Sequence, residues 1–154
     1  MKFIRMGNVS KNKNKREEAF TLIEILIAIV IVAAFLAVVG PELFSRISQS
    51  NQTAAGNQID VFKVALNNYR LDNGRYPTNQ QGLKALIEEP TTPPLPGDWN
   101  GPYLEKKEIP LDPWGNEYQY RIPGRHNTHK YDLWSNGKDG IEGGSDEDAD
   151  VTNW

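Results

Sequence analysis

The chain has 154 residues, 17 Lys+Arg against 20 Asp+Glu, and no Cys, about one domain's worth of sequence. The missing thiols exclude a disulfide framework, a Cys-rich zinc site and a thiol nucleophile. A net charge of −3 conceals a polarity: residues 1–19 hold six bases and two acids, the remainder 11 bases and 18 acids, so the chain runs from basic to acidic.

Phe20 to Val39 reads FTLIEILIAIVIVAAFLAVV, in which only Thr21 and Glu24 are clearly polar. At 1.5 Å per residue a helix of this length spans roughly 30 Å, the hydrocarbon core of a bilayer. A single membrane-spanning helix is predicted over 20–40. The bases before it place the N-terminus in the cytoplasm by the positive-inside rule, and residues 41–154 on the far side. The run is longer than a secretory signal's apolar core, and Ala37-Val38-Val39 is a poor cleavage site, so the helix is expected to be retained. Glu24 is the anomaly, because an ionisable group in such a helix typically costs about 2.5 to 3.5 kcal/mol and has a partner. No Lys or Arg lies in the span. Either Glu24 snorkels to the headgroups, or its cation is made by processing: a cut between Ala19 and Phe20 would free an α-amino group that can meet Glu24 of an adjacent copy.

The stretch Lys15-Arg16-Glu17-Glu18-Ala19-Phe20-Thr21-Leu22-Ile23-Glu24 resembles the type III signal of type IV pilins and pseudopilins. The resemblance implies that residues 1–19 are a cytoplasmic leader, that a membrane prepilin peptidase cuts between Ala19 and Phe20 and methylates the new N-terminus at Phe20, and that Glu24 acts in assembly. The family usually has Gly before the cut; here it is Ala19, also small.

Pro41 lacks the amide proton a continuous helix needs, so a kink or local melting is expected near Gly40-Pro41. Helical periodicity resumes with Ala55, Ile59, Phe62, Leu66 and Tyr69, spaced to line one face of an amphipathic helix that ends near Asn73-Gly74. Thr78-Asn79-Gln80-Gln81 has the pattern of a capping box opening a short helix from Leu83 to Glu88. Seven prolines between 90 and 113 predict an irregular loop. Glu117 to Ile122 and Lys130 to Ser135 read as a hairpin. Together with Tyr69-x-Leu71-Asp72-Asn73-Gly74-x-Tyr76-Pro77, Gln81-Gly82-Leu83 and Asp112-Pro113-Trp114-Gly115-Asn116, these segments are similar to the major, G-type pseudopilins of type II secretion, over residues 17–154. The fold so implied is α+β and type IV pilin-like: a long N-terminal helix, half transmembrane and half amphipathic, packed on a small antiparallel sheet with a calcium-binding C-terminal loop.

From Asp132 to Trp154 there are seven acids (Asp132, Asp139, Glu142, Asp146, Glu147, Asp148, Asp150) and one base, Lys138. Gly137, Gly140, Gly143 and Gly144 allow tight turns that could aim oxygens inward at a hard cation. No EF-hand pattern fits, because acids are missing at the first two ligand places. The Gly143-Gly144-Ser145-Asp146 stretch occurs once, whereas β-helix calcium repeats need several copies. Composition alone leaves a solvated acidic tail equally open, while the flanking Trp134 and Trp154 argue for order. Ser135-Asn136-Gly137-x-Asp139-Gly140 and Glu147-Asp148-Ala149-Asp150 look like the family's calcium loop. The resemblance implies Ca2+ held by Asp139, Asp148 and Asp150, with backbone carbonyls near Asn136, Ile141 and Ser145.

His126 and His129 are the only histidines, and no Glu-flanked helical motif, nucleophile elbow, P-loop or dinucleotide fingerprint surrounds them. The acidic outer domain disfavours nucleic acid. No enzyme is expected from these residues, and the resemblance implies a subunit of a bacterial inner-membrane machine, single-pass, with a cytoplasmic N-terminus and a periplasmic domain. By the resemblance it polymerises with itself into a short fibre that drives export of folded proteins, alongside minor pseudopilins and an inner-membrane assembly platform. A type IV pilin for adhesion or motility is the alternative, and a membrane-tethered hydrolase using His126 a third.

Overall fold

The computed structural model describes residues 20–154. The leader 1–19, and with it the Ala19 side of the expected cut, lies outside the described residues. Two compact units are present, one ending at Gly40 and one running Pro41–Trp154.

Helix α1 (Leu22–Asn73) is assigned without interruption, with Pro41 inside it. The expected local melting at Gly40-Pro41 does not occur. Proline disfavours helical backbone in its predecessor partly through a clash with that residue's β-carbon, and Gly40 has none. In the first unit every residue of 20–39 is exposed, so this apolar helix has nothing packed on it among the described residues.

In the second unit α1 turns its predicted stripe inward: Ala55, Ile59, Phe62, Leu66 and Tyr69 are buried, joined by Ala65. Each large apolar side chain so buried stabilises by about 1.5–3 kcal/mol. Phe62 meets Tyr118 edge-on at 5.1 Å, and Tyr76 meets Tyr131 at 4.8 Å. The helix ends as expected, at Gly74, whose φ of 73° and N–H donation to the Arg70 carbonyl at 2.8 Å make a left-handed C-terminal cap.

The capping box forms, with Gln81 N–H donating to Thr78 Oγ1 and Thr78 N–H to Gln81 Oε1. It closes a turn, and only a 3₁₀ segment, Leu83–Leu86, follows. Beyond it the Leu86 carbonyl accepts the Tyr103 N–H at 2.7 Å. The proline-rich segment is irregular, as predicted, and is tied down by polar contacts: Gln81 donates to the Thr92 and Pro94 carbonyls, Trp99 Nε1 to the Ala85 carbonyl, and Tyr103 to Asp72.

Strands β1 (Gln119–Arg121), β2 (Asp132–Ser135) and β3 (Val151–Thr152) make an antiparallel sheet in that order. Gln119 pairs with Trp134, Arg121 with Asp132, and Ser135 with Val151. The hairpin strands are shorter than the sequence suggests because side chains take over the ladder's ends. Asn79 both accepts the Ile122 N–H and donates to the Ile122 carbonyl, while the amides of Asn127 and Asn153 occupy the Tyr131 carbonyl. The third strand was not foreseen.

Asp132 is fully part of the hairpin and not of the C-terminal loop with which its charge was counted. It is 1% exposed and accepts the backbone N–H groups of Arg125, His126 and Asn127. Gly124 permits this approach, since a β-carbon there would collide with the Asp132 carboxylate. Burial pushes the carboxyl up, yet the N–H donors of His126, Asn127 and Arg125 outweigh burial and hold it below the ordinary 3.8. The stabilisation is therefore complete above about pH 4 and is lost as pH falls through the depressed folded value. Asp132→Asn should cost about 1–3 kcal/mol near neutrality, read by urea unfolding of the outer domain, and the gap to wild type should narrow as pH drops below 4.

Candidate assembly and metal sites

Glu24 stands in the first turn of α1. Its Oε2 accepts the N–H and hydroxyl of Thr21 at 3.4 and 3.5 Å, and Thr21 Oγ1 accepts the Glu24 N–H at 3.4 Å. This is a loose reciprocal capping box, in which an acid also complements the positive end of the helix dipole. Thr21 was missed in this role although the Thr-x-x-Glu pattern is the one read correctly at Thr78 and Gln81. The ion pairs among the described residues are Arg46–Glu42, Lys63–Asp60 and Lys138–Glu147; Glu24 is in none of them. Phe20 lies exposed beside it, ahead of the helix.

The C-terminal loop is ordered by its own backbone. Gly137, Gly140, Gly143 and Gly144 all have positive φ, and a β-carbon on Gly137 would lie 2.8 Å from the Asp148 carbonyl oxygen and 2.9 Å from that of Ala149. Asp146, at φ 55°, leads into a 3₁₀ turn, Asp146–Asp148. Lys138, the lone base, bonds Glu147 through both its ammonium and its backbone N–H. Gln52 of α1 donates to the Asp146 carbonyl. The loop is thus folded, with Glu147, Asp148 and Asp150 half-buried and Asp139, Glu142 and Asp146 exposed.

Of the expected ligands, Asp139 accepts the Ile141 N–H at 3.0 Å. Asp150 Oδ2 accepts the Gly143 N–H at 2.9 Å, while its Oδ1 is buried with no hydrogen-bond partner. Asp148 donates its N–H to the Ser145 carbonyl. Asn136 spends its side chain locally, accepting Trp134 Nε1–H at 2.7 Å and donating to the Gly140 carbonyl at 3.1 Å. Ile141 is exposed. The structure does not draw the three carboxylates together: among the described residues no group of three or more His, Asp or Glu side chains converges as a metal cluster. What the loop holds instead is one unsatisfied carboxylate oxygen, on Asp150, and, at Gly137 and Gly144, a close approach to the Asp148 carbonyl.

His126 stacks on Trp154 with ring centres 4.1 Å apart and planes 6° from parallel, and Trp154 also meets Trp134 edge-on. The two tryptophans expected to order the loop do contact each other, with His126 stacked on Trp154. Burial, and then the neighbouring Tyr76, push the Tyr131 phenol up to about 12, so it stays protonated near neutrality.

Comparison with known proteins agrees with this architecture. Residues 14–40 match the prokaryotic N-terminal methylation motif, and residues 42–154 match the model for type II secretion system (T2SS), protein G. A type II secretion system core protein G of Pseudomonas aeruginosa is 47% identical over 143 residues, covering 92% of this chain and 98% of that one. One of Escherichia coli strain K12 is 41% identical over 140 residues, covering 90% and 92%. The crystal structure of the major pseudopilin from the type 2 secretion system of enterohaemorrhagic Escherichia coli superposes with a TM-score of 0.63 at 34% identity, covering 73% of this chain and 89% of that one. A match across the whole outer unit and relatives this similar from end to end leave one conclusion: the chain belongs to the protein G family of the type II secretion system.

Proposed function

We propose that this chain is the major structural subunit of the type II secretion pseudopilus, a non-enzymatic protein that stacks with copies of itself and with other secretion components into a short fibre driving folded proteins across the outer membrane. The observation that carries this reading is a helix bare of packing over residues 20–39 with an acid in its first turn. Such a surface needs either lipid or other helices around it. The relatives favour this over a type IV pilin for adhesion or motility. The helix anchors the chain in the inner membrane, with the basic leader cytoplasmic and the outer domain periplasmic. Prepilin peptidase removes residues 1–19 and methylates Phe20, whose amine then pairs with Glu24 of the neighbour already in place. Minor pseudopilins and an inner-membrane assembly platform complete the partners.

The C-terminal loop is assigned to Ca2+. A carboxylate oxygen buried without a partner is costly, and Asp150 Oδ1 is one. Glycines at 137 and 144 pass so close to the Asp148 carbonyl that side chains would be excluded, and the only base of the loop is already engaged by Glu147. A carboxylate oxygen left without a hydrogen-bond partner suits a hard cation, and Arg121, Arg125 and His126 line the same pocket as Asp150. Asp139, Asp148 and Asp150 would hold it, with carbonyls of Asn136, Ile141 and Ser145. The ion would supply positive charge that neutralises the acids and ties the loop together.

Three outcomes are expected. N-terminal mass spectrometry of protein from native membranes should report a chain beginning at methylated Phe20; an intact Met1 leader on fibre-competent material would contradict the reading. Glu24→Gln keeps the capping-box geometry with Thr21 but removes the charge, so it should insert in membranes normally and fail to form fibres in cross-linking assays; wild-type fibre yield would sink the amine pairing. Ligand binding confined to the folded state adds about 2.7 kcal/mol at a hundred times Kd, so EGTA should lower the Tm of the outer domain by about 5 °C or more. An unchanged Tm would remove calcium from the account.

A further inference from the structure

The turn at Asp112–Asn116 lies far from the loop in sequence but grips its entrance. Asp112 is 5% exposed and Ser135 is sealed from solvent. One Asp112 oxygen accepts the N–H groups of Trp114 and Asn116 at 3.1 and 2.8 Å, and the Asp112 N–H returns to the Asn116 carbonyl, so the turn is locked. The other oxygen accepts the Ser135 hydroxyl at 2.5 Å. A carboxylate can only accept, so the hydroxyl must donate its single proton there, which leaves its lone pairs for the Gly137 N–H, 3.2 Å away. Asn116 holds the other side of the same residue, donating Nδ2–H to the Gly137 carbonyl at 2.8 Å. Its Oδ1 also lies 3.4 Å from where a β-carbon on Gly140 would be.

This arrangement fixes the peptide between Asn136 and Gly137. A trans peptide is planar, and its N–H and C=O point opposite ways. Holding the Gly137 N–H on Ser135 therefore aims the Asn136 carbonyl away from the Asp112 side, and holding the Gly137 carbonyl on Asn116 fixes the next peptide, between Gly137 and Lys138, so that the two bonds pin Gly137 from both sides. The Asn136 side chain is spent on Trp134 and Gly140, so the backbone oxygen is what Asn136 has to offer.

We infer that Asp112, Ser135 and Asn116 are positioning residues of the C-terminal loop: a relay from the 112–116 turn that presets the Asn136 carbonyl for a divalent cation and couples occupancy of the loop to the order of that turn. The inference rests on the calcium assignment. A preset ligand raises affinity because its ordering entropy is spent before binding. The relay adds no new donor to the ion.

The test uses the full chain in detergent, with calcium titration calorimetry and melting in calcium or EGTA, on wild type, Asn116→Ala and Ser135→Ala. Both variants should bind calcium at least tenfold more weakly, and the rise in Tm produced by calcium should shrink. A merely structural role would lower the Tm in EGTA while leaving the calcium Kd unchanged, and that result in a calcium-responsive wild type overturns the relay alone. A wild type indifferent to calcium overturns the relay together with the calcium assignment. Asn116 is only half-buried, so Asn116→Ala keeps the test readable if Ser135→Ala misfolds.

Discussion

The outer unit depends on a single seam, the burial of one stripe of α1 under aromatic rings brought from far along the chain. Phe62, Leu66 and Tyr69 are sealed from solvent, and what seals them comes from Tyr76, Leu86, Tyr103, Tyr118 and Leu133. No strand is long enough to be stable alone. The proline-rich segment contributes to this seam too: Tyr103 packs edge-on against both Tyr69 and Trp99.

So little regular sheet leaves many backbone groups to satisfy, and buried ones cannot go unpaired without cost. Side chains serve instead of ladders. Asp132 gathers three N–H groups, Asn79 completes Ile122, Gln81 collects two carbonyls from the proline segment, and Asp112 with Asn116 secures the 112–116 turn. These polar residues act where hydrogen-bonded strands would act in a larger sheet. The C-terminal loop follows the same logic until Asp150, whose second oxygen breaks it.

The parts legible from sequence were those governed by periodicity or backbone chemistry: the apolar run, the inward stripe from Ala55 to Tyr69, the Gly74 stop, the Thr78–Gln81 box and the hairpin. What was not legible depended on tertiary pairing. Of the kink or local melting expected near Gly40-Pro41, the melting is absent, since α1 runs through Pro41. The expected helix over 83–88 is only a 3₁₀ segment, Leu83–Leu86. Strand β3 is too short to show alternation and is defined only by its partner β2. Asp132 was grouped with its acidic neighbours because charge counting cannot tell a solvated carboxylate from one enclosed by N–H groups. The leader, the cut before Phe20 and the calcium ligands rest on resemblance. The residues that buttress the loop entrance, Asp112 and Asn116, were read only as part of the Asp112–Asn116 stretch that carried the resemblance, with no role given to either.

The outer sheet strands have a bearing on how such a molecule survives at high density in a membrane. Strands β1 and β3 are the two edges, and both are very short; β1 carries Arg121 and is stoppered at Ile122 by Asn79. Edges this short, one of them charged, give another chain little template for strand addition, so the sheet offers copies of the chain no amyloid-like route to one another.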